Sequence, residues 1–149
     1  NCTDCTYNSA SSSVQCINCT LGYNLTNSTN TCNPQCGDGI KLSTENCDDG
    51  GIFDGDGCNS NCTVESGFYC IGTYPNVSVC GKCLDFCSVC NDNSTCTTCN
   101  SGYANNATVC TIDCSPIANC SACDYNGTTQ CTSCVLGYHL TNSSNNCLT

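Results

Sequence analysis

Apolar residues are spread thinly along this chain and never recur at the three-and-four spacing of an amphipathic helix. Gly, Asn and Asp interrupt the sequence roughly every ten residues, which marks turns rather than long elements. Short runs with strand character fall at 23–25, 68–71 and 138–140. The pattern therefore predicts short β-hairpins and turns, with little or no helix. No apolar run approaches the roughly 18 residues that would span a bilayer. With no Trp, no Met and three Phe in 149 residues, one sizeable core is out of reach. The expected fold is small and disulfide-rich, a tandem of short units each stapled covalently.

Composition sharpens this. There are 23 Cys, far above the level of a core-forming protein. Each disulfide contributes about 2–4 kcal/mol, mainly by restricting the unfolded chain, and offsets the conformational entropy that a poor core leaves uncompensated. Such density requires an oxidising compartment, so the expected location is secreted, extracellular or at the cell surface. The rival reading is zinc, because C-x2-C occurs seven times, as in Cys2/Cys5, Cys16/Cys19, Cys96/Cys99 and Cys131/Cys134. The Asn/Ser/Thr-rich background favours disulfides. Net charge is −10, with two Lys and no Arg, so nucleic acid lacks the clustered cations it needs. Insertion of this segment into a membrane is not expected.

The chain repeats itself. LGYNLTNSTNTC at 21–32 matches LGYHLTNSSNNC at 136–147, and NCTDC at 1–5 matches NCSAC at 119–123. Between them, Cys83, Cys87, Cys90, Cys96, Cys99 and Cys110 read C-x3-C-x2-C-x5-C-x2-C-x10-C, with Gly102-Tyr103 after the fifth. Spacing alone leaves the pairing open. The spacing resembles the furin-like repeat of growth-factor receptor cysteine-rich regions and protist surface proteins. That resemblance implies pairing of first to third, second to fourth and fifth to sixth cysteines. It would join Cys83–Cys90, Cys87–Cys96 and Cys99–Cys110, then Cys114–Cys123, Cys120–Cys131 and Cys134–Cys147. In the first unit it would join Cys2–Cys16 and Cys19–Cys32, leaving Cys5 unpaired or bonded to another chain. Four domains follow: 1–35, a furin-like repeat lacking its first cysteine; 36–82; 83–113; and 114–149. Linkers are three residues or fewer, so the array is expected to be elongated and stiff, and both ends look cut from a longer tandem.

The second domain differs. Cys36-Gly-Asp-Gly39, Cys47-Asp-Asp-Gly50 and Gly55-Asp-Gly-Cys58 resemble the Myxococcus-type cysteine-rich repeat and, more loosely, the Lin12–Notch repeat. The latter resemblance implies calcium. Seven of the twelve carboxylates lie here: Asp38, Glu45, Asp48, Asp49, Asp54, Asp56 and Glu65. All but Glu65 form the candidate metal set, since calcium takes hard oxygens on a turning backbone. The plainer reading is that Asp and Gly make turns by Asx-type hydrogen bonds, with no ion. Pairing within 36–80 stays open.

N-x-S/T sequons occur eleven times. Asn24, Asn27, Asn76, Asn93, Asn106, Asn126 and Asn142 are the expected acceptors of N-linked glycans. Asn1, Asn18, Asn61 and Asn119 carry Cys in the middle position, where a disulfide competes with modification. Ser11, Ser12 and Ser13 are weaker candidates for O-glycans. A glycan coat would also keep so lightly charged a chain in solution. The Tyr side chains of Gly22-Tyr23, Gly102-Tyr103 and Gly137-Tyr138 are expected to cover their disulfides. His139 is the sole histidine, so a Ser/His or Cys/His catalytic pair has little support and no enzyme is expected. The expected function is a structural extracellular glycoprotein, a repeating segment of a surface coat or fibre that self-associates end to end. The alternative is a receptor-like or adhesive ectodomain that binds a protein or carbohydrate.

Overall fold

The computed structural model describes residues 1–141 and 145–149. Among the described residues there is no helix, only short antiparallel hairpins. They are held by eleven disulfides, since one cysteine of the 23, Cys5, is free. The chain divides into two compact units, Asn1–Lys82 and Cys83–Thr149.

The first unit opens with β1 (Cys2–Asn8) against β2 (Ser13–Cys19), followed by β3 (Tyr23–Thr26) against β4 (Thr31–Pro34). Cys2–Cys16 ties the first hairpin, and Cys19–Cys32 ties the second to it. After a long acidic turn region comes β5 (Phe68–Ile71) against β6 (Val79–Lys82), with Cys70 opposite Cys80 and bonded to it.

The second unit repeats the two-hairpin module twice. β7 (Cys87–Cys90) pairs β8 (Cys96–Cys99), and β9 (Tyr103–Asn106) pairs β10 (Val109–Ile112). β11 (Cys120–Tyr125) then pairs β12 (Thr129–Cys134), and β13 (His139–Leu140) pairs β14 (Cys147–Leu148). The bonds are Cys83–Cys90, Cys87–Cys96 and Cys99–Cys110, then Cys114–Cys123, Cys120–Cys131 and Cys134–Cys147.

The three modules share one register. Cys2 opposes Cys19 and Cys5 opposes Cys16; Cys87 opposes Cys99 and Cys90 opposes Cys96; Cys120 opposes Cys134 and Cys123 opposes Cys131. Each has the same irregularity between its first two cysteines, a β-bulge. A shared backbone link follows. The carbonyl of Asn1, Phe86 or Asn119 accepts from the N–H of Thr20, Asn100 or Val135, at 2.8, 2.7 and 2.8 Å. Next comes a turn closed by the N–H of Tyr23, Tyr103 or Tyr138, whose third residue is Gly22, Gly102 or Gly137 at φ of 82°, 86° and 93°. That conformation strains any residue with a Cβ, which is why glycine recurs there.

The interior is sulfur. Among the described residues, the buried apolar residues apart from Leu42 are all cysteines. In each module two disulfides touch, with sulfur separations of 3.5 Å (Cys16 to Cys32), 3.1 Å (Cys96 to Cys110) and 3.4 Å (Cys131 to Cys147). These clusters gather three cysteine sulfurs each, but every sulfur in them is in a disulfide and has no lone thiolate to give a metal. The strand expected at 138–140 is the two-residue β13, His139–Leu140, and does not include Tyr138.

Candidate functional site

The acidic turns of residues 36–67 are built around Asp48, whose side chain is wholly buried. Its Oδ1 accepts from the N–H of Gly39 and Gly50 at 3.0 and 2.9 Å, and its Oδ2 from Gly37 at 3.0 Å. Its own N–H donates to the buried Ser78 hydroxyl at 3.0 Å, and its carbonyl accepts from Ser78 N–H at 2.6 Å. A carboxylate this enclosed is tolerated because each oxygen meets backbone donors. Gly37, Gly39 and Gly50 all have positive φ, so the chain turns back on the carboxylate from both sides. Cys36–Cys62 and Cys47–Cys58 lock this arrangement.

The other acids fall into two groups. Glu65 Oε2 accepts from Gly55 and Gly57 N–H, both at 2.8 Å, and closes the second acidic loop. Glu45 Oε2 accepts from Leu42 N–H at 2.8 Å. Burial pushes the Glu45 carboxyl above the usual range; Leu42 N–H opposes this, the Asp48 and Asp38 charges add to it, and Lys41 opposes it. Asp38 and Asp49 make Asx-type bonds to Ile40 and Gly51 N–H, at 2.9 and 3.1 Å. Asp54 and Asp56 are exposed. Asp49 Oδ1 and Asp56 Oδ2 converge over Gly51, each 3.4 Å from the place a Cβ would occupy there.

The structure thus divides the six candidate metal residues. Among the described residues, no three of those carboxylates gather their oxygens within 4.8 Å. Glu45 and Asp48 do lie that close to the Cys62 sulfur, but Cys62 is bonded to Cys36 and Asp48 is already saturated by N–H donors. The full set does not fit a calcium cage of six to eight oxygens. Asp49 and Asp56 place one oxygen each over the same glycine, Gly51. Ser78 was not legible as part of this site; it is distant in sequence, and only its place in the Asn76 sequon singled it out.

All ten described sequon asparagines are exposed: Asn1, Asn18, Asn24, Asn27, Asn61, Asn76, Asn93, Asn106, Asn119 and Asn126. Asn142 lies outside the described residues. The sequons gather at hairpin ends. Asn27 sits in the β3–β4 connection, Asn76 in β5–β6, Asn93 in β7–β8, Asn106 at the end of β9 and Asn126 in β11–β12. In the sequons of Asn1, Asn18, Asn61 and Asn119 the middle residue is the bonded Cys2, Cys19, Cys62 and Cys120. Cys5 is exposed, while the cysteines that match it in register, Cys90 and Cys123, are bonded.

Over residues 16–63 the chain matches a family described as Domain of unknown function (DUF4215). The match covers about a third of the chain and takes in the Asp48 turn. No curated protein and no solved structure matches the chain.

Proposed function

We propose that this chain is a structural glycoprotein segment, a repeating part of an extracellular coat or fibre. The cysteine-rich repeats and their disulfides mark an extracellular module, and among the described residues no helix is long and apolar enough to cross a membrane. The observation that carries the reading is the exposed sequons at five hairpin connections, because glycans there would project from turns and leave the disulfide interior undisturbed. A catalytic role is not part of this reading. The only His is exposed, and the most buried acids are spent on backbone donors. The receptor-like alternative is favoured by one observation, the large exposed apolar side chains such as Phe53 and Leu136.

The test is the mass of native material, reduced and non-reduced, before and after enzymatic glycan removal. Expected is a species well above the chain mass of 15.5 kDa that shrinks on deglycosylation and belongs to a larger assembly. A glycan-free single chain removes the fibre reading and leaves the binding module. Calcium belongs to this proposal only at Asp49 and Asp56. Calorimetry on the folded chain is expected to show binding in about the millimolar range, lost when both are changed to Asn; no heat from the parent chain ends the calcium role.

A further inference from the structure

An open groove in the first unit lies beside a sequon that the fold holds in place. Tyr23, Leu42, Ser43 and Tyr74 line the groove, and its volume is about 270 Å³. Leu42 is buried and packs on Gly22, so close that a Cβ there would come within 2.8 Å of it. Tyr23 is half-buried, Ser43 is exposed, and Tyr74 is 52% exposed. Two aromatic rings, a leucine and a hydroxyl therefore border one opening. Pockets for drug-sized ligands run to roughly 300–1,000 Å³, so this smaller one suits a single sugar ring.

Asn76 stands two residues after Tyr74 in the β5–β6 connection. Its N–H donates to the Thr73 carbonyl at 2.8 Å, and its carbonyl accepts from Lys41 N–H at 3.4 Å. That second bond sets Asn76 beside the residue that precedes Leu42. Two positions further on, Ser78 is buried and joined to Asp48 through both its N–H and its hydroxyl. The turn is thus anchored on both sides of Asn76, while Asn76 itself is exposed. Asn24 is a sequon asparagine next to the groove residue Tyr23, but the two are successive on β3, where side chains leave opposite faces.

We propose that the groove is the seat of the first sugar of an N-linked glycan on Asn76, an N-acetylhexosamine whose ring lies on Tyr74 over Leu42. The C–H face of such a ring is apolar and is matched by the face of an aromatic side chain. Its hydroxyls and acetamide need a few placed polar groups, which the Ser43 hydroxyl and the tyrosine phenols supply. This rests on the glycoprotein reading above and names which glycan folds back onto the protein. The sugar needs little affinity of its own, because a short covalent tether holds it at an effective concentration of about the millimolar range.

The test uses the full chain made in glycosylating cells, with its N-glycans trimmed to the first sugar by an endoglycosidase. The acetyl methyl protons of the remaining sugars are read by NMR, and Asn76→Gln identifies the one at Asn76. Expected is a methyl resonance moved upfield of the others by the Tyr74 ring, with nuclear Overhauser contacts to that ring. Tyr74→Phe should keep both, and Tyr74→Ala should return the resonance to the position of the others. An occupied Asn76 whose methyl shows neither shift nor contact overturns the proposal, as does a shift that survives Tyr74→Ala. An Asn76 that carries no sugar while other sequons do also overturns it, and leaves the glycoprotein reading standing. A chain with no glycan at any sequon removes both.

Discussion

Asp48 shows how one side chain closes a loop that has almost no apolar content. Its three backbone donors come from glycines 37, 39 and 50, and water cannot replace a buried acceptor. Asp48→Ala leaves those N–H groups unpaired, at about 1–3 kcal/mol each, and should destabilise the first unit by about 3 kcal/mol or more. Chemical denaturation with disulfides intact measures this; a loss under about 1 kcal/mol would mean the disulfides alone hold the turn. Glu45 responds to pH in the opposite sense to the usual carboxylate. Its folded pKa is raised, chiefly by burial. The stability it contributes is therefore present below the ordinary carboxylate pKa and is lost as pH rises through the folded value. Asp92 and Asp113 are lowered by hydrogen bonds from Ser94 and Ser115, so theirs is present above the ordinary value and lost as pH falls through the folded one. Glu45→Gln keeps an oxygen for Leu42 N–H. Its denaturation midpoint, relative to the parent, should rise as pH increases from below the ordinary carboxylate pKa; a difference that stays flat with pH contradicts the assignment.

At the scale of the element, the two-hairpin module is a device for bringing two disulfides into contact. The bulge after the first cysteine, the carbonyl link from residues 1, 86 and 119, and the glycine turn recur in all three copies. What varies is the cover over the glycine. Gly137→Ala meets nothing within 4 Å among the described residues and should cost only the positive-φ penalty, about 1–2 kcal/mol. Gly102→Ala has the same backbone penalty and also evicts the Tyr125 ring that lies on it, adding about 0.5–1.5 kcal/mol for the lost aromatic contact. Paired denaturation curves of the two variants test this; equal losses would mean that the Tyr125 contact contributes nothing to folding. Strands at 23–25 and 68–71 were legible because Tyr, Phe and Ile alternate between turn residues, and they appear as β3 and β5.

Over the whole molecule, covalent links and backbone donors do the work that a hydrophobic core does elsewhere. Among the described residues, Leu42 is the one buried apolar residue that is not a cysteine. Stability is therefore local to each staple, as expected of repeats that lean on near neighbours. It also leaves the described sequon asparagines exposed at the surface. A chain so built tolerates change at hairpin tips, where Asn93 and Asn126 lie, far better than at Asp48 or the glycines of the Gly-Tyr turns.

Cysteine spacing, turn residues and the Gly-Tyr repeat by themselves determined a helix-free, disulfide-rich chain of short hairpins, because those signals are local and each is read within a few residues. The acidic cluster was visible too, as a run of Asp and Gly. Only the tertiary structure decided what each acid does. Asp48 meets Gly37 and Ser78 across long stretches of chain, and no local pattern says which carboxylate ends up under the backbone donors and which stays in water. The same holds for Tyr125, whose ring lies on Gly102 of the preceding module. No local pattern assigns it that place.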